Sequence, residues 1–257
     1  MTTKAAQARN YVRGLDLPPL PVRKRGADGV PAPAAVAFFE APQAVVVGSQ
    51  LTEFSAKVSA DARSAIADSM LIAQLAANKA ADAAADVFAW YRKYIEVLQK
   101  VGWKVQDMEF QTQQVSDKNL GVHSAIIPVV MAMLGPGVAA ASLVISVLNG
   151  LKEMDSSSPW ITVFDRASQH AHGAKFQVSY VDADADGAPQ ISVMCFGIDA
   201  ERTVTQVLFF KFSQDSAEFK KANGKLAMSL AQLAEAREVI AQRVHPFIAD
   251  YVKGLDI

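Results

Sequence analysis

Residues 120–151 read LGVHSAIIPVVMAMLGPGVAAASLVISVLNGL, and no Asp, Glu, Lys or Arg occurs between Lys118 and Lys152. A segment this apolar has to be kept from water by the protein's own core, by a lipid, or by a bilayer after a change of shape. Gly135, Pro136 and Gly137 divide it. Proline lacks the amide donor and restricts the residue before it, so a continuous helix breaks there. The stretch therefore predicts a helical hairpin with arms at 122–134 and 138–151, with Pro128 either kinking the first arm or marking its start. Each arm is about 20 Å long at about 1.5 Å per residue. A single membrane span needs about 20 apolar residues for about 30 Å of hydrocarbon. Neither arm reaches that length, so the pair fits a buried core hairpin or an element that enters one leaflet.

Working outward, residues 59–102 carry apolar and Ala positions at three- and four-residue steps, with Ser59 as a candidate N-cap and Gly102 as a stop. A long helix is expected there, straight or broken near 78–82, packed against the hairpin. Trp90, Tyr91 and Tyr94 suit either a core aromatic cluster or a membrane-interface anchor. Before it, AVVVG (44–48) has the β-branched character of a strand, and between helix and hairpin WKVQDMEFQTQQV (103–115) alternates as a half-exposed strand. After the hairpin, Ser157 or Ser158 with Pro159 starts a further helix that Gly173 ends. The period then changes. AKFQVSYVD, PQISVMCFGID and TVTQVLFFKF read as an antiparallel meander, FKKANGKLAMS as a turn or edge element around Asn223 and Gly224, and 229–253 as a last helix that Pro246 bends or restarts. The pattern is an α+β fold: helices, including a buried apolar hairpin, against a small antiparallel sheet.

The chain has 257 residues, of which 51% are hydrophobic, and a net charge of -1. One large domain is expected over 34–257, preceded by a Pro-rich lead-in at 1–33 whose triplet Arg23, Lys24 and Arg25 is either a solvated loop or a contact for anionic lipid. The charge balance and the lack of a basic stripe with interleaved aromatics speak against nucleic-acid binding. The single Cys allows no internal disulfide. The N-terminus lacks the pattern of a secretory signal, so the expectation is a chain made as a soluble cytoplasmic protein that leaves the cell, if it does, by another route.

Candidate chemistry is sparse. Asp182, Asp184, Asp186 and Gly187 match the first half of a calcium loop, but Val193 stands where the bidentate Glu belongs, so a hairpin turn is expected. His170 and His172 lack further ligands at recognisable spacing, and no metal is expected. No phosphate loop, dinucleotide fingerprint, nucleophile elbow or metalloprotease motif is present, and a non-enzymatic role is expected. Cys195 lies in ISVMCFGI, where Ile191, Val193 and Cys195 share one face and Met194, Phe196 and Ile198 the other. Apolar surroundings oppose a reactive thiolate. The residue is then an inert buried thiol or the attachment point of a fatty acyl chain, worth about 0.8 kcal/mol per buried CH₂.

The Ala-rich helix at 59–102, the uncharged hairpin at 120–151 and the later strand VMCFG with its lone Cys195 together resemble, in element order, the Erwinia virulence factor type of bacterial protein. That resemblance implies a palmitate-like fatty acid held covalently on Cys195 in a buried cavity, as the one cofactor if there is one, and a membrane-associating virulence or persistence factor. The cavity or membrane contact would be formed by Ile126, Ile127, Val130, Met131, Leu134, Val138, Leu143, Val144, Val147, Met194 and Phe196. The partner is then a lipid or membrane surface. Two other expectations stand beside it: a pore-forming toxin that inserts hairpin 120–151 as oligomers on the membrane, and a soluble scaffold without lipid.

Overall fold

The computed structural model describes residues 3–20, 36–115, 121–136, 138–152, 158–170, 173–200, 204, 206–209 and 217–255. Among them are seven α-helices, α1 (Lys4–Gly14), α2 (Ala60–Ala80), α3 (Val87–Val101), α4 (Val122–Leu134), α5 (Ala139–Lys152), α6 (Pro159–Ser168) and α7 (Leu230–Tyr251). Eight strands accompany them: β1 (Gln43–Val47), β2 (Gln50–Phe54), β3 (Lys104–Val115), β4 (Gln169–His170), β5 (Gly173–Ala183), β6 (Pro189–Asp199), β7 (Ala217–Ala227) and β8 (Val252–Gly254). The fold is α+β. The expected boundary at residue 33 and the basic triplet at 23–25 lie outside the described residues.

The strands form one sheet in the order β3-β7-β6-β5-β2-β1-β8, with β4 beside β5. It is larger than the three-stranded meander expected from the sequence, and it is mixed: β2 runs parallel to β5, while the other pairings are antiparallel. Side chains alternate across it, and two separate apolar cores result. Val45, Val47, Phe54, Val181, Val193 and Cys195 join α2, α3 and α7 on one face. Val46, Leu51, Phe176, Val178, Met194 and Phe196 join α4, α5 and α6 on the other. The sheet thus lies between the long helical region and the hairpin, and the expected packing of one on the other is replaced by packing of each on its own face.

Local chemistry explains the helix ends. Ser59 caps α2 by accepting from Ala62 N–H at 3.3 Å, and Asp86 caps α3 by accepting from Phe88 and Ala89 N–H at 2.9 and 3.0 Å. Residues 81–86 interrupt the helix close to the expected break, and Gly102, at φ +117°, ends α3 in a conformation that a side chain would resist. Helix α7 runs through Pro246 to Tyr251 instead of restarting there. The DADADG segment makes the β5–β6 turn: the Asp184 carboxylate accepts from Asp186 and Ala188 N–H at 3.0 and 2.9 Å.

Two expectations after the β5–β6 hairpin are corrected. The run at 203–212 supplies a 3₁₀ turn at Val207–Phe209, and the next strand is β7. Val204, Val207 and Leu208 are apolar because they plug the space beneath α4. Strand β7 looks weak in sequence because small residues face the bulged strand β3: a Cβ on Gly224 would come 2.8 Å from Gln106 O. Trp90, Tyr91 and Tyr94 are fully buried against the sheet, with Trp90 stacked on Tyr94 at 5.6 Å between centroids, so they form a core cluster and not an interface anchor.

Candidate functional site

The uncharged hairpin forms as α4 and α5. The turn opens at Gly135, whose φ of +94° favours a residue without Cβ. On α4 the buried positions are Val122, Ile126, Val129 and Val130; on α5 they are Ala141, Val144, Val147 and Leu148. Each set follows helical spacing and makes one apolar stripe. The outer side of the pair is apolar as well. Met131 is 38% exposed and Val138 48%, and Ile127, Leu134, Leu143 and Ile145 are half-buried. An ordinary amphipathic surface helix carries charge there; this one carries none.

Beneath the pair, Phe164, Phe176, Phe196 and Phe219 form a ladder with successive ring centroids 5.9, 5.1 and 5.6 Å apart. Polar attachments are few. His123 and Asn149 join the two arms at 3.0 Å, and Asn223 Nδ2 donates to Met133 Sδ at 3.3 Å. Among the described residues the latter is the one side-chain hydrogen bond from the pair to the rest of the protein, and no ion pair reaches it. Burying the seven Val, Ile and Leu side chains of the stripe is worth roughly 10–20 kcal/mol in water, as an upper estimate. Hydrocarbon would return nearly all of that, because lipid tails are as apolar as Leu.

Glu53 borders the pair. It projects from β2 toward the hairpin face, in a groove with Leu143, Ser146 and Val147 of α5 and Lys253 and Leu255 beyond β1. The residue is 5% exposed, and its Oε2 has no hydrogen-bond partner among the described residues. Burial pushes its carboxyl up to about 7, against a weaker opposing pull from the Arg63 guanidinium.

The expected site residues divide between the two faces. Ile126, Val130, Val144, Val147, Met194 and Phe196 meet in the buried core under the hairpin, Ile127, Leu134 and Leu143 flank it, and Met131 and Val138 face solvent. Cys195 does not join them. Strand alternation turns its side chain to the α2–α3 face, where it is 1% exposed, with Ala222 and Gln177 opposite it on the neighbouring strands. Burial pushes its thiol far up, and none of the described cavities is lined by it. His172 lies outside the described residues, and among them no group of three or more His, Cys, Asp or Glu could hold a metal ion. Sequence reasoning missed Glu53 and the full Phe ladder. The alternation of QLTEF puts Glu53 on the face of Leu51, and that of β5 puts Phe176 on the face of Val178; the face each would meet was not readable without the strand order.

No family model matches the sequence, and neither does any curated protein. Solved structures with a similar outline include a delta-endotoxin, covering 84% of this chain and 91% of its own at 16% identity and a TM-score of 0.41. The activated Cyt2Ba monomer of Bacillus thuringiensis subsp. israelensis covers 53% and 79% at 18% identity and 0.32. The Evf virulence factor covers 97% and 91% at 11% identity and 0.34, which is the weak resemblance in element order seen in the sequence.

Proposed function

We propose that this chain is a non-enzymatic, membrane-associating protein whose α4–α5 pair leaves the sheet and lies in a lipid surface. One observation carries the proposal: a helical pair without an Asp, Glu, Lys or Arg before its last residue, Lys152, apolar outward as well as inward, is tied to the rest of the described protein by a single side-chain hydrogen bond. Undocking it in water exposes the stripe; undocking it into lipid does not. No helix among the described residues is long and apolar enough to cross a membrane, so the pair is assigned to one leaflet, lying in the interface. A virulence or toxin setting is the expectation carried by the resemblance in the sequence, and the hairpin chemistry does not depend on it. The placement of Cys195 gives no support to an acyl chain shared with the hairpin.

Flotation with vesicles of phosphatidylcholine alone tests the proposal. Met131→Asp with Val138→Asp changes two outward positions, so folding is retained. Since a carboxylate in hydrocarbon costs on the order of 2 kcal/mol or more, the vesicle-bound fraction should fall at least roughly tenfold. Binding that survives both substitutions contradicts it. Dye release on binding would extend the role to bilayer perturbation, and a wild-type chain that ignores vesicles would leave a soluble scaffold.

A further inference from the structure

A second feature lies away from the hairpin. A cleft of about 570 Å³ opens between the C-terminal end of α2 with its following turn, the end of α6, β4, and Tyr251 at the end of α7. Lys175, on β5, forms part of its wall and is 5% exposed. Its Nζ donates to Ala167 O at 3.0 Å and to Ser49 Oγ at 3.3 Å and sits 4.1 Å from the centroid of the Trp90 ring. All three partners are neutral, and among the described residues no carboxylate lies within ion-pair distance. An ammonium has three donors, so one remains. Burial lowers its pKa to about 7, which expresses the same missing counter-charge.

The neighbouring groups point the same way. Arg166 also lines the cleft; its guanidinium donates to Asp250 O and stacks on Tyr251, again with no carboxylate in ion-pair distance among the described residues. Ser168 is 1% exposed, and among the described residues neither its Oγ nor either ring nitrogen of His170 has a partner. Buried hydroxyl and imidazole groups left unpaired are uncommon in folded proteins. Asp82, at the rim, is the one acidic residue among those lining the cleft, and its Oδ1 already accepts from Ala84 N–H at 2.9 Å. Two cations that have no counter-ion among the described residues, with a hydroxyl and an imidazole unpaired among them as well, match the donor set that a planar or tetrahedral oxyanion requires.

We infer that this cleft binds a small oxyanion of the carboxylate or phosphate class, with Lys175 and Arg166 as its charged donors and Ser168 and His170 completing the shell. The inference is independent of the hairpin's role. The oxyanion can be free in solution or part of a lipid headgroup, and two experimental arms separate these sources.

In the first arm, inorganic sulfate is titrated into the full chain at constant ionic strength by calorimetry. One site is expected, weakened roughly tenfold or more in Lys175→Met and in Arg166→Gln, as loss of a charged donor requires. Arg166→Gln gives the same readout should Lys175→Met fail to fold. In the second arm, vesicles with and without phosphatidylglycerol are offered to the Met131→Asp, Val138→Asp protein, which has lost the hairpin route. Binding that needs the anionic lipid and vanishes on adding Lys175→Met assigns the site to a headgroup. Sulfate and phosphatidylglycerol binding that are both absent, or both indifferent to Lys175 and Arg166, overturn the inference.

Discussion

The two faces of the sheet are held to their helices by different forces. On the α2–α3 face, side chains from sheet and helices interlock by hydrogen bonds. Gln74 Oε1 accepts from Ser49 N–H at 2.9 Å while its Nε2 donates to Val47 O at 2.8 Å, Tyr94 Oη meets Gln50 Oε1 at 2.9 Å, and Tyr91 Oη lies 2.8 and 2.7 Å from the carbonyls of Phe176 and Phe196. Arg63 is fully buried and donates to three carbonyls at 2.6–2.9 Å. Pulling these helices away would orphan each of those groups, in water or in lipid. On the hairpin face, apart from the bond from Asn223 to Met133, the contacts are apolar side chains, Phe, Val, Ile, Leu and Met with Trp160 and Ala, against one another. Those contacts are non-directional, and hydrocarbon can replace them. The same sheet therefore carries one fixed layer and one that a lipid surface can compete for.

The largest effect that would break this contrast is expected on the fixed face. Trp90→Ala should lower global stability by about 3–5 kcal/mol in urea unfolding, the usual cost of emptying a buried aromatic site. Gln74→Leu comes next, at about 2–3 kcal/mol, because it leaves the buried Ser49 N–H without its partner and removes the bond to Val47 O. Val144→Ala removes two buried methyl-sized groups and should cost about 1.5–2 kcal/mol of hairpin docking, with amide exchange in α4 and α5 rising more than in α2. Equal acceleration in both layers would show that they open together.

Glu53 sharpens the comparison through pH. Its carboxyl is raised to about 7 while the hairpin is docked, above its ordinary 4.5. A raised carboxyl contributes stability that is complete below about 4.5 and lost as pH rises toward about 7. Docking should thus be weaker at pH 8 than at pH 5, by on the order of 1–2 kcal/mol after allowing for solvent at the open side of the groove. Arg63, Lys253 and Tyr180 are the neighbouring titratable groups. Glu53→Gln should flatten the pH dependence of α5 amide exchange between pH 5 and 8; an unchanged slope would assign it elsewhere. The smallest effect is expected at Cys195: Cys195→Ala should cost about 1 kcal/mol of stability and leave vesicle binding unaltered.

Charge and period made part of this readable from the residues alone. The gap in charge between Lys118 and Lys152, with Gly135 and Pro136 inside it, is enough for a hairpin, and Ser59, Gly102 and Pro159 mark helix ends by chemistry local to the chain. What was not readable depended on partners far away in sequence. Strand alternation already separated Cys195 from Met194 and Phe196, but which helices covered each face required the strand order, in which β2 pairs with β5 across more than a hundred residues. Strand β7 was obscured because Ala222 and Gly224 are small for the sake of β3, and the run at 203–212 was misleading because Val204, Val207 and Leu208 fill the floor under α4. The cleft at Lys175 has no local signature, since its lining comes from six separate elements.

The contrast between the layers can be tested directly by tethering. In a Cys195→Ala background, Met133→Cys and Asn223→Cys replace the two side chains whose contact joins α4 to β7, and a cleavable bismaleimide bridges them. If the hairpin must leave the sheet to reach lipid, the bridged protein will not float with phosphatidylcholine vesicles and will regain binding when the bridge is cut. Equal flotation of the bridged and cut forms would contradict that requirement.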